Sequence, residues 1–194
     1  MLIDLGGGTS PHRRADVVID LHHPKGTHAQ DATAIPWLLQ AGQTFPPGVV
    51  DEVYASHFME HVPHGQPLID VMNEAWRVLK PGGSFTMIMP VVGYTNITTG
   101  QPESNHIGWQ PWADPTHVSY WWFPEALMYF CEGPFKPLAD YGMRVWNPLG
   151  PFVGDHRASI YLKFQEQEAV ALGSESWWAV RDGWEGVARL TKPM

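Results

Sequence analysis

The sequence predicts an α/β protein built on a mostly parallel sheet, and three observations predict it. A short apolar run, Leu2–Leu5, ends in the glycine cluster Gly6-Gly7-Gly8. A second buried-type run within Asp16–Leu21 ends near Asp20, and a third spans Val49–Ser56. Residues 67–79 then place Leu68, Ile69, Met72, Ala75, Trp76 and Leu79 at helical spacing before an apolar run, Ser84–Met89. Strand, glycine turn, strand, strand, helix, strand is the grammar of such a sheet, because parallel neighbours need crossover connections.

Each element has a local reason. Short runs dominated by apolar residues suit strands buried in a sheet. Lys80-Pro81-Gly82-Gly83 stops the helix: a cation near its C-terminus, then residues that cannot continue it. Residues 22–48 are rich in His, Gly, Pro and Gln and hold one short helical candidate, about 34–41. Residues 91–123 form a long aromatic-rich stretch, expected to be a lid or acceptor loop. A short helix is expected at 124–131 and further strands at 144–146 and 157–164, antiparallel to the rest. The stretch 166–190 reads as weakly helical, interrupted by Gly173, Gly183 and Gly186. Two units follow: a domain over 1–164 and a Trp-rich C-terminal tail over 165–194.

Composition bounds the function. The chain has 194 residues and 44% hydrophobic content, enough for one core. No run spans a bilayer, no signal-peptide pattern opens the chain, and Cys131 is its single cysteine. A cytoplasmic protein without membrane contact is the expectation. The net charge of −8 opposes a phosphate backbone, so nucleic acid is disfavoured as a partner. Of the 10 Trp, most lie after residue 108, including Trp177, Trp178 and Trp184. Such a tail is expected to dock on the domain or to form a homodimer.

The motifs fall at strand ends, where ligands bind in open parallel sheets. Glycine turns let a ligand approach the backbone, and a carboxylate at Asp20 suits ribose hydroxyls. His57, His61 and His117 are candidate bases, with Glu60–His61 and Asp114–His117 as carboxylate–histidine pairs. No metal is expected, because the histidines lack a spacing such as His-Glu-x-x-His and Cys131 stands alone. Trp109, Trp112, Trp121, Trp122 and Phe123 surround the Asp114–His117 segment. Their spacing fits equally an acceptor-pocket wall and plain core filling.

These segments resemble a family. Ile3-Asp4-Leu5-Gly6-Gly7-Gly8-Thr9 looks like the first motif of class I S-adenosylmethionine (SAM)-dependent methyltransferases. Residues 53–62, VYASHFMEHV, are similar to that family's fourth-strand segment ending in Leu-Glu-His. Residues 74–83, EAWRVLKPGG, match its Glu-x-x-Arg-x-Leu-Lys-Pro-Gly-Gly, and residues 114–118, DPTHV, resemble its Asp-x-Thr-His segment. The four occur in family order. The pattern is similar to a small, N-terminally short, type 11-like subgroup, some of whose members are linked to glycan modification. Ser10 in place of a third glycine departs from it, as does the short interval between Gly8 and Asp20.

The resemblance implies a Rossmann-like methyltransferase sheet with an antiparallel C-terminal strand and SAM as cofactor. Asp4, Gly6, Gly7 and Gly8 would line its methionine and ribose side. Asp20 would hold the ribose hydroxyls, Asp31 would accept from the adenine amine, and Ala32 would lie beside the ring. Ser56 and His57 would stand near the methionine part. His117, His61 and Asp114 would serve catalysis. The implied reaction is methyl transfer to O or N of a small molecule or glycan. The alternatives are a non-catalytic SAM-fold subunit and a nucleic-acid methyltransferase; neither the amino-methylating DNA motif nor a Pro-Cys is present.

Overall fold

In a computed structural model, the residues described are 1–21, 30–39, 42–95, 101–104, 114–123, 125–131, 142–148, 178–181 and 185–194. Four parallel strands form the frame: β1 (Leu2–Leu5), β2 (Val17–Ile19), β3 (Val50–Ser56) and β4 (Leu79–Thr95). The sheet runs β2-β1-β3-β4-β9-β7, where β7 is Asn147–Pro148 and β9 is Glu185–Thr191. Strands β5 (Pro102–Ser104) and β6 (Trp121–Phe123) pair with β4, and β8 (Trp178–Arg181) pairs with β9. β1–β3 are wholly or mostly apolar and pair in parallel, as their composition requires.

The register places the site. Leu5 lies opposite both Ile19 and Ala55, so Gly6, Asp20 and Ser56 leave the sheet on one edge. Ser56 opposes Ile88, and antiparallel β9 brings Glu185 opposite Pro90, onto that same edge.

Helix α1 (Gln66–Val78) follows Gly65 and has Pro67 in its first turn, a favourable place for proline. Leu68, Val71, Met72, Ala75 and Val78 form its buried stripe. That stripe joins the main core with Ile3, Leu5, Val53, Phe85 and Met87 from the sheet. The second face carries only a small cluster of Leu2, Tyr54, Ile88 and Val187 among the described residues. Helix α2 is Glu125–Met128, inside the range expected for it. No helix among the described residues is long and apolar enough to cross a membrane.

Several expectations change. The candidate helix near 34–41 is instead a braced loop over its described residues. The Gln30 amide N–H groups donate to the carbonyls of Ala34 (2.8 Å) and Pro36 (3.3 Å), and Leu38 N–H returns to Gln30 Oε1 at 2.9 Å. These side-chain bonds outcompete helical ones. The strand expected at 144–146 is not formed there: Trp146 makes only an isolated bridge to Cys131, and strand β7 occupies Asn147–Pro148. The stretch 157–164 lies outside the described residues.

The largest correction concerns the C-terminal unit. Residues 185–191 are not part of a helical tail: β9 sits in the middle of the sheet against β4. Gly186, read as a helix interruption, is needed for strand packing. A Cβ there would stand 2.5 Å from Val91 Cγ1 and 2.6 Å from Phe123 Cε2. Residues 178–181 and 185–191, placed in the tail, are strands of the sheet. The lid expectation also changes, since 91–95 continue β4 while 102–104 and 121–123 are strands paired to it.

Candidate functional site

The first half of the site is the loop after β1. Gly6 adopts φ +67 and Gly8 φ +50, the left-handed region that glycine enters without a Cβ penalty. Gly8 N–H donates to Asp20 Oδ2 at 2.9 Å, tying the loop to the carboxylate at the end of β2. Gly6 N–H donates to the Ile19 carbonyl at 2.9 Å. Asp4 is only 2% exposed and accepts from His12 N–H at 2.7 Å, so it anchors the far end of the loop. Loop and acid are thus prearranged by the backbone.

Asp31 and Ala32 stand apart, joined to these residues by no hydrogen bond. Asp31 is exposed and accepts from the Thr33 N–H (2.8 Å) and hydroxyl (2.7 Å). Ala32 is buried, and its carbonyl takes the Trp37 indole N–H at 2.9 Å. Trp37 N–H in turn donates to Glu74 Oε1 at 2.8 Å, which fixes this loop to α1.

The second half lies beyond β3. His57 takes φ 53, an uncommon conformation for a side-chain-bearing residue, and turns the chain into a 3₁₀ helix, Met59–His61. The turn sends Glu60 inward to 1% exposure and leaves His57 on the rim. The segment 114–119 folds onto it: Val118 and Ser119 N–H donate to the Glu60 carbonyl at 2.9 and 3.0 Å. The Ser119 hydroxyl donates to the Val62 carbonyl.

Here carboxylates and imidazoles converge. His57 Nε2 lies 2.7 Å from Glu185 Oε1, and its Nδ1 lies 3.3 Å from Glu60 Oε1. His117 Nε2 lies 3.9 Å from Glu60 Oε1 and 3.6 Å from Asp114 Oδ2. The His61 and His117 rings meet edge to face at 5.0 Å. His61 Nδ1 is 3.1 Å from the Thr116 carbonyl, which makes Nδ1 the donor and leaves Nε2 as the acceptor. The Thr116 hydroxyl and N–H hold the Asp114 carboxyl below its usual range and fix the acid in place.

The expected catalytic residues His117, His61 and Asp114 therefore lie together, across 53 or more residues of chain in the case of His61, with Glu60 between the imidazoles. Glu185 was not legible as a site residue, since it sits in the stretch read as helix. Trp121 and Phe123 are 1% and 0% exposed and fill the core, so neither walls a pocket. Trp122 is half-buried, and Trp109 and Trp112 lie outside the described residues.

A glycine loop after the first strand, an acid after the second and a parallel order β2-β1-β3-β4 define a Rossmann-like cofactor-binding domain. Residues 16–87 match a family described as a methyltransferase domain. The fold is that of a SAM-dependent methyltransferase from Archaeoglobus fulgidus: TM-score 0.53, 14% identity, covering 98% of this chain and 85% of that one. A Bacillus subtilis protein is similar over 66% of this chain at 15% identity and TM-score 0.42, and this chain spans 58% of its length. A phosphoethanolamine N-methyltransferase from Haemonchus contortus, solved with S-adenosyl-L-methionine, matches 49% of this chain and 25% of its own at 20% identity and TM-score 0.34. Among curated proteins the sequence finds no match.

A carboxylate at the end of β2 beside a glycine loop is the arrangement the resemblance implies for a SAM ribose.

Proposed function

We propose that the whole chain transfers the methyl group of SAM to an oxygen or nitrogen of a small molecule or glycan. The observation that supports it is the imidazole–carboxylate cluster on the sheet edge that also carries the Gly6–Gly8 loop and Asp20. SAM supplies an activated methyl group, so the protein's tasks are to position the acceptor and ease loss of its proton. Asp4, Gly6, Gly7, Gly8 and Asp20 hold the cofactor; Ser56 and His57 border it at the end of β3; Asp31 and Ala32 serve the adenine end. His117, steadied by Asp114 and backed by His61, meets the acceptor's proton. Exposed Val118 and Tyr120, in the same segment, offer apolar surface to the acceptor.

The acidic chain favours a small or sugar-like acceptor over nucleic acid. A cytoplasmic setting agrees with the single cysteine, whose buried thiol is pushed up to about 12. Homodimerisation is proposed from sequence alone, because Trp177 and Trp184 lie outside the described residues; sedimentation showing only monomer at high micromolar concentration would contradict it.

The test is a mass-spectrometric screen with isotope-labelled SAM over hydroxyl- and amine-bearing metabolites and glycans. A labelled product from wild type, reduced ~10²–10⁴-fold in His117→Ala at unchanged SAM affinity, is expected. Normal turnover by His117→Ala would make this residue a loop brace. SAM binding with no transfer to any acceptor favours a non-catalytic partner subunit.

A further inference from the structure

We propose that Glu60, His61 and His117 form a binding site for a divalent first-row transition-metal ion. Each offers one ligand atom, and these atoms lie within 4.8 Å of one another. Glu60 and His61 come from the turn after β3 and His117 from a segment more than fifty residues later, so no sequence spacing announces the set.

Glu60 carries the argument. It is 1% exposed, and neither carboxylate oxygen has a hydrogen bond. A buried carboxylate in that condition is costly unless a cation lies against it. Neither neighbouring imidazole hydrogen-bonds this carboxylate. His57 Nδ1 is 3.3 Å from Glu60, and the same ring is held at 2.7 Å by a second carboxylate, Glu185. His117 Nε2 is 3.9 Å away, too far to hydrogen-bond. Two imidazoles and a carboxylate with ligand atoms within 4.8 Å of one another are the donor set of imidazole-binding divalent ions.

Geometry and surroundings agree. Ligand atoms ~2.1 Å from an ion stand about 3.0 Å apart at right angles and about 4.2 Å apart in line. The 3.9 Å between Glu60 and His117 falls inside that range, so the set closes on an ion with small side-chain movement. An outer partner orients one ligand, as metal sites require: the Thr116 carbonyl takes His61 Nδ1–H. Three protein ligands leave open positions, and His117 and His61 are only partly buried, which gives an acceptor access.

The site rests on the reading of this cluster as the acceptor end and gives it a different agent. A bound ion takes the lone pair of His117 and supplies Lewis acidity to an acceptor oxygen or nitrogen, whose proton then passes to solvent beside exposed Asp114.

The test is titration of the full-length protein, stripped with chelator, with Co²⁺, read by visible d–d absorption and calorimetry. One Co²⁺ per chain is expected at micromolar affinity or tighter. The isosteric Glu60→Gln, and His61→Ala and His117→Ala, should each weaken it ~100-fold. Cys131→Ser should leave it unchanged. Absence of stoichiometric Co²⁺ binding by wild type overturns the site, as does binding that survives all three ligand variants on other histidines. SAM affinity measured on the same samples separates the two readings. Cobalt without SAM binding sinks the methyltransferase reading alone, and SAM without cobalt binding sinks the metal site alone.

Discussion

Glu185 Oε1 lies 2.7 Å from His57 Nε2, although 128 residues separate them in the chain. The pair clamps the start of β9 to the end of β3 across β4, on the edge that carries the site. Glu185 is almost buried and His57 is 42% exposed, so solvent screens half of the interaction. Glu185→Ala should cost about 1–2 kcal/mol in urea unfolding. An unchanged midpoint would show that β9 is held by its backbone ladder alone.

Gly7 is the tightest point of the cofactor loop. A Cβ at this position would stand 2.7 Å from Asp4 Oδ2 and 3.0 Å from both Pro11 Cβ and Val18 Cγ1. Gly7→Ala should therefore cost ~1–3 kcal/mol in stability and weaken SAM. If calorimetry and melting both match wild type, the loop is not as closely packed as its contacts indicate.

Glu74 and Arg77, in the segment that resembles a methyltransferase motif, do structural work. Glu74, 5% exposed, accepts from Trp37 N–H and from Arg77 Nε and Nη2 at 2.7–2.8 Å, and Arg77 Nη1 donates to the Phe45 carbonyl at 2.7 Å. Glu74→Ala strands a buried N–H and a half-buried guanidinium. A loss of about 3–5 kcal/mol in chemical denaturation is expected. A loss under ~1 kcal/mol would mean that the 30–45 loop does not depend on α1.

Periodicity and glycine chemistry made β1–β4 and α1 legible, because local pattern and burial agree there. Position along the edge was legible too: Gly6–Gly8, Asp20, Ser56 and His57 stand at strand ends as their motifs imply. Two things were not. The 34–41 loop fails as a helix because Gln30 and Trp37 satisfy its backbone from the side, a tertiary choice that local propensity does not record. Strand β9 was hidden because Gly186 and Gly183 look like helix breakers, whereas Gly186 answers the bulk of Val91 and Phe123. Glu185 was lost with it.

Asp51 gives the fold an acid-range signature. The Lys80 ammonium, 2.6 Å away, and the Met1 amino group hold its carboxyl down at about 2, from 3.8. A depressed carboxyl stabilises the fold above its unfolded value and loses that contribution as pH falls from about 4 toward about 2. Asp51→Asn should flatten the stability–pH curve within this window and displace it downward by a constant amount, with unchanged slope, above pH ~5. Identical acid titrations of the two proteins would contradict the pairing.

The central claim is that the edge formed by Gly6–Gly8 and Asp20 holds SAM, and calorimetric titration of wild type and Asp20→Ala with SAM tests it most directly. Asp20 accepts from Gly8 N–H at 2.9 Å, so its loss removes both the ribose acceptor and the brace of the loop. Wild type should bind SAM in the micromolar range. Asp20→Ala, losing two charge-assisted hydrogen bonds of about 1.5–3 kcal/mol each, should bind at least ~100-fold more weakly while remaining folded. A wild-type protein that shows no binding at millimolar SAM, or an Asp20→Ala variant that binds as tightly, contradicts the account.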